Sequence, residues 1–152
     1  MQKRWWGTAA AMVITLTAGA ALGQGVADVI KARQAGYKAQ GAAFKKMGDE
    51  LKKGDPDIAV IRASAKVLAD TSKNQYRWFP KGSGPEAGVK TAAKAEIWTN
   101  AAGFTAAQKA FEAEAGKLNA AAAKGDLGAI RPQAGAAAKT CGGCHDKFRV
   151  KS

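Results

Sequence analysis

The chain is poor in soft metal ligands. Its 152 residues hold two cysteines, Cys141 and Cys144, and one histidine, His145. A structural zinc site wants four protein ligands, and no second CxxC or HxxxH completes these three. One histidine also rules out bis-histidine ligation within a single chain. Strand-like alternation of apolar and polar residues is missing throughout. That removes the βαβ setting in which a redox CxxC opens a helix. A dense basic run with interleaved aromatics is missing too, although Lys and Arg number 24 against 12 Asp and Glu. The basic residues are scattered as singles and KK pairs. This reads as a solvated lysine surface that at most steers acidic partners, not as a nucleic-acid interface.

Long apolar runs are also scarce, with one exception at the start. Lys3 and Arg4 form a basic leader, and Trp5 to Leu22 carries no charge. Small residues crowd its end, and Ala21-Leu22-Gly23 or Ala18-Gly19-Ala20 fits a signal-peptidase site. Residues 1–23 are therefore expected to be a cleaved secretory signal, leaving a single domain over 24–152. The competing reading is a retained anchor. A span needs about 20 apolar residues, and this run is slightly short and rich in Ala and Gly. Cleavage implies a periplasmic protein with no membrane anchor. Loss of Lys3 and Arg4 takes 24 basic residues to 22 against 12 acidic, a net +10.

What remains is helical. Val26, Ile30, Arg33, Tyr37, Gly41, Phe44, Met47 and Leu51 recur in steps of three and four, one face of a first helix. GDPD ends it. Ile58, Ile61, Ala65, Leu68, Ser72 and Tyr76 mark a second. WFPKGSGPEAGVK is a loop by its Gly and Pro content. Ile97, Ala101, Phe104, Gln108, Phe111, Ala115 and Leu118 mark a third, and KGD breaks it. Asp126 can cap a fourth, with Leu127, Ile130, Ala134, Ala137, Cys141, Cys144 and Phe148 along one face. Pro132 falls inside that helix, where it removes a hydrogen bond. The expected fold is all-α, an antiparallel up-down-up-down four-helix bundle. Large apolar side chains are few for such a core. Either alanine-lined helices pack closely, or a large non-protein group fills the middle.

The run Cys141-Gly142-Gly143-Cys144-His145 bears on that choice. A CxxC disulfide in an oxidising compartment would leave His145 idle. Covalent haem c attachment uses all three residues, and CxxCH is its signature. Two thiols three apart lie on one side of a helical turn, where they can add to two vinyl groups on adjacent pyrroles. The next residue directs its imidazole at the iron. Gly142 and Gly143 are expected to let the macrocycle lie close to the backbone. Once the signal is removed, Met47 is the one methionine left as a second axial ligand. Its place on the inner face fits a core residue.

The sequence resembles the cytochrome c′ family. Arg33-Gln34-Ala35-Gly36-Tyr37, Glu96-Ile97-Trp98, Ala102-Gly103-Phe104 and the CxxCHxxFR ending carry the resemblance. It implies haem c near the end of the last helix, held by Cys141 and Cys144, with His145 on the iron. It places Arg33 and Gln34 beside the propionates and Tyr37 over the vacant iron face. Arg149 falls near the proximal side, and Thr91 and Ala92 at the haem edge. An arginine on an apolar face independently calls for a buried anion. Two departures stand out. Ala92-Ala93-Lys94-Ala95 replaces the Arg-Ala-Lys-Pro often found before Glu-Ile-Trp. At Tyr37, low-spin six-coordinate relatives carry an iron-ligating methionine, so tyrosine points to five-coordinate, high-spin iron. The alternative is a low-spin Met/His cytochrome of the same fold. The resemblance further implies a homodimer that exchanges electrons with a periplasmic partner, binds nitric oxide or carbon monoxide, or does both. An enzyme is not expected, because no distal histidine is available as an acid–base catalyst.

Overall fold

A computed structural model describes residues 18–151. The expected signal lies outside the described residues as far as Thr17. Four long helices account for most of the rest: α1 (Ala18–Leu51), α2 (Ile58–Asn74), α4 (Ala101–Lys124) and α5 (Leu127–Phe148), with a single turn, α3 (Glu96–Thr99), before α4. No strand occurs among the described residues. The long helices pack in chain order, α1 along α2, α2 along α4 and α4 along α5. The result is the expected antiparallel four-helix bundle.

Local chemistry sets the helix ends. The Asp57 carboxylate accepts from the Ala59 and Val60 N–H groups and starts α2, and Asp126 accepts from Ala129 N–H and starts α5. Such caps satisfy N–H groups that have no partner inside the helix. Gly125 ends α4 at φ 75°, a left-handed position that favours glycine. The expected third helix is divided. Asn100 takes a non-helical conformation (φ −122°, ψ 54°), and its side-chain oxygen accepts from Gly103 N–H. Competition by a short amide for the backbone is the reason. At the break itself Ala101, expected inside, is exposed, while Ile97 before it and Phe104 after it are buried as expected. Tyr76 departs likewise. α2 tightens into a 3₁₀ turn at Gln75–Arg77, which buries Gln75 and leaves Tyr76 outside, donating to Glu112.

The interior has two parts. The larger, toward the α1–α2 and α4–α5 turns, is aliphatic. Met47, Ile61, Leu68, Leu118 and Ile130 are almost wholly buried there, with Ala65, Ala115, Ala122 and Ala137 at full burial between them. Met47 is thus a core residue. The smaller part, at the other end, is aromatic. Phe104 and Phe148 meet edge to face at 5.2 Å, Phe79 meets Phe104 at 4.7 Å, and Ile97 joins them.

Candidate functional site

A cavity of about 510 Å³ opens between α1 and α5. From α1 it takes Arg33, Gln34, Tyr37, Gln40 and Phe44. From α5 it takes Cys141, Cys144, His145 and Phe148. Helical spacing explains the second set. At 100° per residue, positions 141, 144 and 145 fall on one side of α5. Gly142 and Gly143 fall on the other, are exposed, and do not line the cavity. The expected close approach at these glycines is therefore not borne out.

The two thiols bridge the two parts of the interior. Cys141 packs against the aliphatic cluster and Cys144 against the aromatic one, and no disulfide joins them. Burial raises both thiol pKa values, that of Cys144 to about 11. His145 stands at the rim. Partial burial, and then the charge of Arg149, lower its pKa, so the imidazole is neutral and a ring nitrogen is free to coordinate.

Arg33 is 3% exposed, and its charge has no carboxylate partner among the described residues. The guanidinium donates to Ser83 O (3.0 Å), Ser83 Oγ (3.3 Å), Trp78 O (3.4 Å) and Thr91 Oγ1 (2.8 Å). It also lies over the Phe79 ring at 4.7 Å. Neutral acceptors satisfy its hydrogens but leave a buried positive charge, which favours an anion nearby. Gln34 is exposed at the mouth and donates to Lys90 O (3.0 Å). Tyr37 is half-buried, edge-on to Trp78 at 5.0 Å, and burial raises its phenol pKa well above the usual range. It is neutral at physiological pH.

The loop between α2 and α3 and the chain end complete the rim. Ala92 O accepts from Val150 N–H (2.8 Å), Phe148 O accepts from Lys94 N–H (3.0 Å), and Ala93 bridges Arg149. This short pairing brings Thr91, Ala92 and Arg149 to the cavity together. Arg-Ala-Lys-Pro is thus not needed to bring this loop to the site.

The side chains fit a haem c. The thiols are free and adjacent, the imidazole is neutral, Arg33 holds an unpaired charge, and the buried Gln40 Nε2 lacks an acceptor. Among the described residues, no three His, Cys, Asp or Glu side chains are grouped to hold a metal ion. A macrocycle would bring its own in-plane nitrogens.

The Cytochrome C′ family profile matches residues 28–149. The cytochrome c′ of Alcaligenes xylosoxydans xylosoxydans is 37% identical over 125 residues, covering 82% of this chain and 94% of that one. The chain belongs to the cytochrome c′ family. The cytochrome c′ of Rubrivivax gelatinosus is 35% identical over 82% of this chain and 95% of its own. Among solved structures, cytochrome c′ from Thermochromatium tepidum superposes with a TM-score of 0.78 at 27% identity, covering 83% of this chain and 97% of that one. A nitric oxide complex of a variant cytochrome c prime from Alcaligenes xylosoxidans gives 0.75 at 34% identity, covering 84% and 97%. Membership in the cytochrome c′ family implies a covalently bound haem c.

In this family member, all nine residues expected at the site line one cavity: Arg33, Gln34, Tyr37, Thr91, Ala92, Cys141, Cys144, His145 and Arg149. Sequence reading missed Gln40, Phe79 and Ser83. Gln40 shares the stripe of Arg33 and Tyr37, but steps of three and four allow Gln40 or Gly41, and the apolar rule chose Gly41. Phe79 and Ser83 sit in a loop with no periodicity to betray which side chains turn inward.

Proposed function

We propose that the chain is exported to the periplasm, loses its first 23 residues, and carries one haem c held by thioether bonds from Cys141 and Cys144. His145 supplies the axial nitrogen on one face of the iron. The opposite face has no protein ligand, which makes the iron five-coordinate and high-spin. The observation that carries this reading is the cavity that the CxxCH face of α5 shares with Arg33 and Tyr37 of α1. Met47 supports it by its position. It lies in the aliphatic core and does not line this cavity. It is also ten residues beyond Tyr37, about 15 Å along the helix axis. That argues against the Met/His alternative.

The bound group supplies a one-electron couple and a place for a diatomic ligand. The protein supplies the rest. Arg33, fixed by Ser83 and Thr91, offers its unpaired charge to a propionate, and Gln34 stands beside it at the mouth. Tyr37, braced by Trp78, covers the vacant face with a neutral phenol, a poor iron ligand at physiological pH. Thr91 and Ala92 line the haem edge, and Arg149 the His145 side. We assign electron exchange with a periplasmic partner, binding of nitric oxide or carbon monoxide, or both. Support for gas binding comes from the nitric oxide complex of the Alcaligenes relative. A homodimer follows from the family resemblance, and one structural neighbour is described as a cytochrome c′ with ligand-controlled dimer dissociation. Among the described residues, no helix is long and apolar enough to cross a membrane.

The test is direct. Protein exported with haem maturation is expected to keep its colour through acid–acetone extraction, to have the mass of residues 24–152 plus one haem, and to show high-spin ferric and ferrous spectra. A folded, colourless protein would refute the cofactor assignment. A low-spin ferrous spectrum that turns high-spin in Met47→Ala would refute the vacant face.

A further inference from the structure

One polar group in the cavity has no task in this reading. Gln40 is 5% exposed and forms part of the cavity wall. It stands one turn after Tyr37 on α1, about 4.5 Å further along the axis. Its Nε2 is closed off from solvent and meets no acceptor, the only such buried side-chain atom among the described residues. Two other glutamines on the same wall show the contrast. Gln75 donates to Gln108 O at 3.0 Å and Gln108 donates to Gln75 O at 3.2 Å, so each is satisfied by the other's backbone. A buried donor left unpaired destabilises the fold, and one kept in a cavity wall is suited to a guest that brings the acceptor.

We propose that Gln40 is a ligand-recognising residue. With a turn of its side chain into the cavity, its amide N–H donates to an acceptor atom of a small ligand bound on the Tyr37 side of the haem. The inference rests on that face being vacant. Tyr37 would then limit the size of what enters, and Gln40 would select for an acceptor. The surroundings favour a single strong contact. Phe44 and Phe111 line the cavity with Gln40, and an apolar wall strengthens a hydrogen bond that water would otherwise weaken.

The test uses the haem-loaded protein, wild type beside Gln40→Leu and Gln40→Met. Fluoride on the ferric form and carbon monoxide on the ferrous form are the probes. Loss of the donor is expected to weaken fluoride binding about tenfold and to move the C–O stretch to higher frequency. The ligand-free spectrum should stay unchanged. Ligand-free melting should stay level or rise, since an unpaired amide has been replaced by an apolar side chain. Unchanged fluoride affinity and C–O frequency in both variants would overturn the proposal. So would a shifted ligand-free spectrum with unaltered affinity, which would put the amide at the macrocycle edge. A lower melting temperature with unaltered affinity would mark a structural amide and overturn it as well. If the wild type binds neither probe, it is the vacant face itself that fails.

Discussion

The two ends of the bundle interior answer the same shortage of large apolar residues in different ways. At the turn end, Ala65, Ala115, Ala122 and Ala137 are fully buried, and the helices close around Ile61, Leu68, Leu118 and Ile130. Small side chains let backbones approach there, and a recess at this end, lined by Met47, Leu51 and Ala134, is more open than the site cavity. At the other end, Tyr37, Phe79, Phe104 and Phe148 stand around a space they do not fill. Rings held edge to face keep the walls apart there. The same composition thus gives a closed core where alanine faces aliphatic side chains, and a receptacle where aromatics brace a loop against α1. The first half holds most of the fully buried aliphatic side chains, and the second is left for a guest.

Removing the guest is the strongest way to break this comparison. Cys141→Ser combined with Cys144→Ser is expected to abolish acid-stable haem altogether. Circular dichroism should show a large loss of thermal stability. A double variant that melts with the wild type would show that the open half needs no filling. The next largest effect belongs to the closed half. Leu118→Ala, at a fully buried position, should cost about 2–5 kcal/mol in denaturant unfolding. The haem absorption spectrum should stay the same, because no cavity wall has moved.

Gly36 sharpens the contrast from the guest's side. An added Cβ there would collide with the Trp78 ring, so the indole must shift. Gly36→Ala should cost about 1–3 kcal/mol and should also disturb the Tyr37 lid that the indole braces. Carbon monoxide binding kinetics would report this. Tyr37→Ala should speed carbon monoxide association while the haem stays attached, at a stability cost of about 1 kcal/mol for a half-buried ring with no hydrogen bond to lose. An unchanged association rate would remove Tyr37 from the vacant face.

The smallest effect tests the closed end with pH. Glu50 accepts from Lys53 Nζ (2.7 Å) and from Asp57 N–H (2.8 Å), tying the end of α1 to the start of α2. First the Lys53 contact and then the Asp57 N–H lower its pKa below the usual 4.5. Its contribution is therefore full above that usual value and fades as pH falls through the folded-state value. Glu50→Gln should flatten the acid limb of the stability curve slightly, with no effect on the haem spectrum.

Much of this was legible in the sequence because it depended on near neighbours. Cys141, Cys144 and His145 share a helix face at any tertiary arrangement, and Asp126 caps whatever helix follows it. Tyr76 and Ala101 were misplaced for a local reason of another kind. A 3₁₀ turn and a capping asparagine each interrupt the α-helix, and period counting carries straight through both. Thr91, Ala92 and Arg149 could be named by resemblance, but the pairing that unites them joins stretches more than fifty residues apart.

By itself, then, the sequence determined the four long helices, their order, and the chemistry of the CxxCH face, since these follow from periodicity, breakers and the spacing of three side chains. The tertiary structure alone decided which seam stays open. It also decided that Arg33 is held by Ser83 and Thr91 with no carboxylate, that Trp78 lies across Gly36, and that Gln40 joins the cavity wall with a buried, unpaired amide. Each of these depends on the distance between helices and on where an irregular loop comes to rest. Those are settled by the packing of the whole interior, and no local pattern along the chain encodes them.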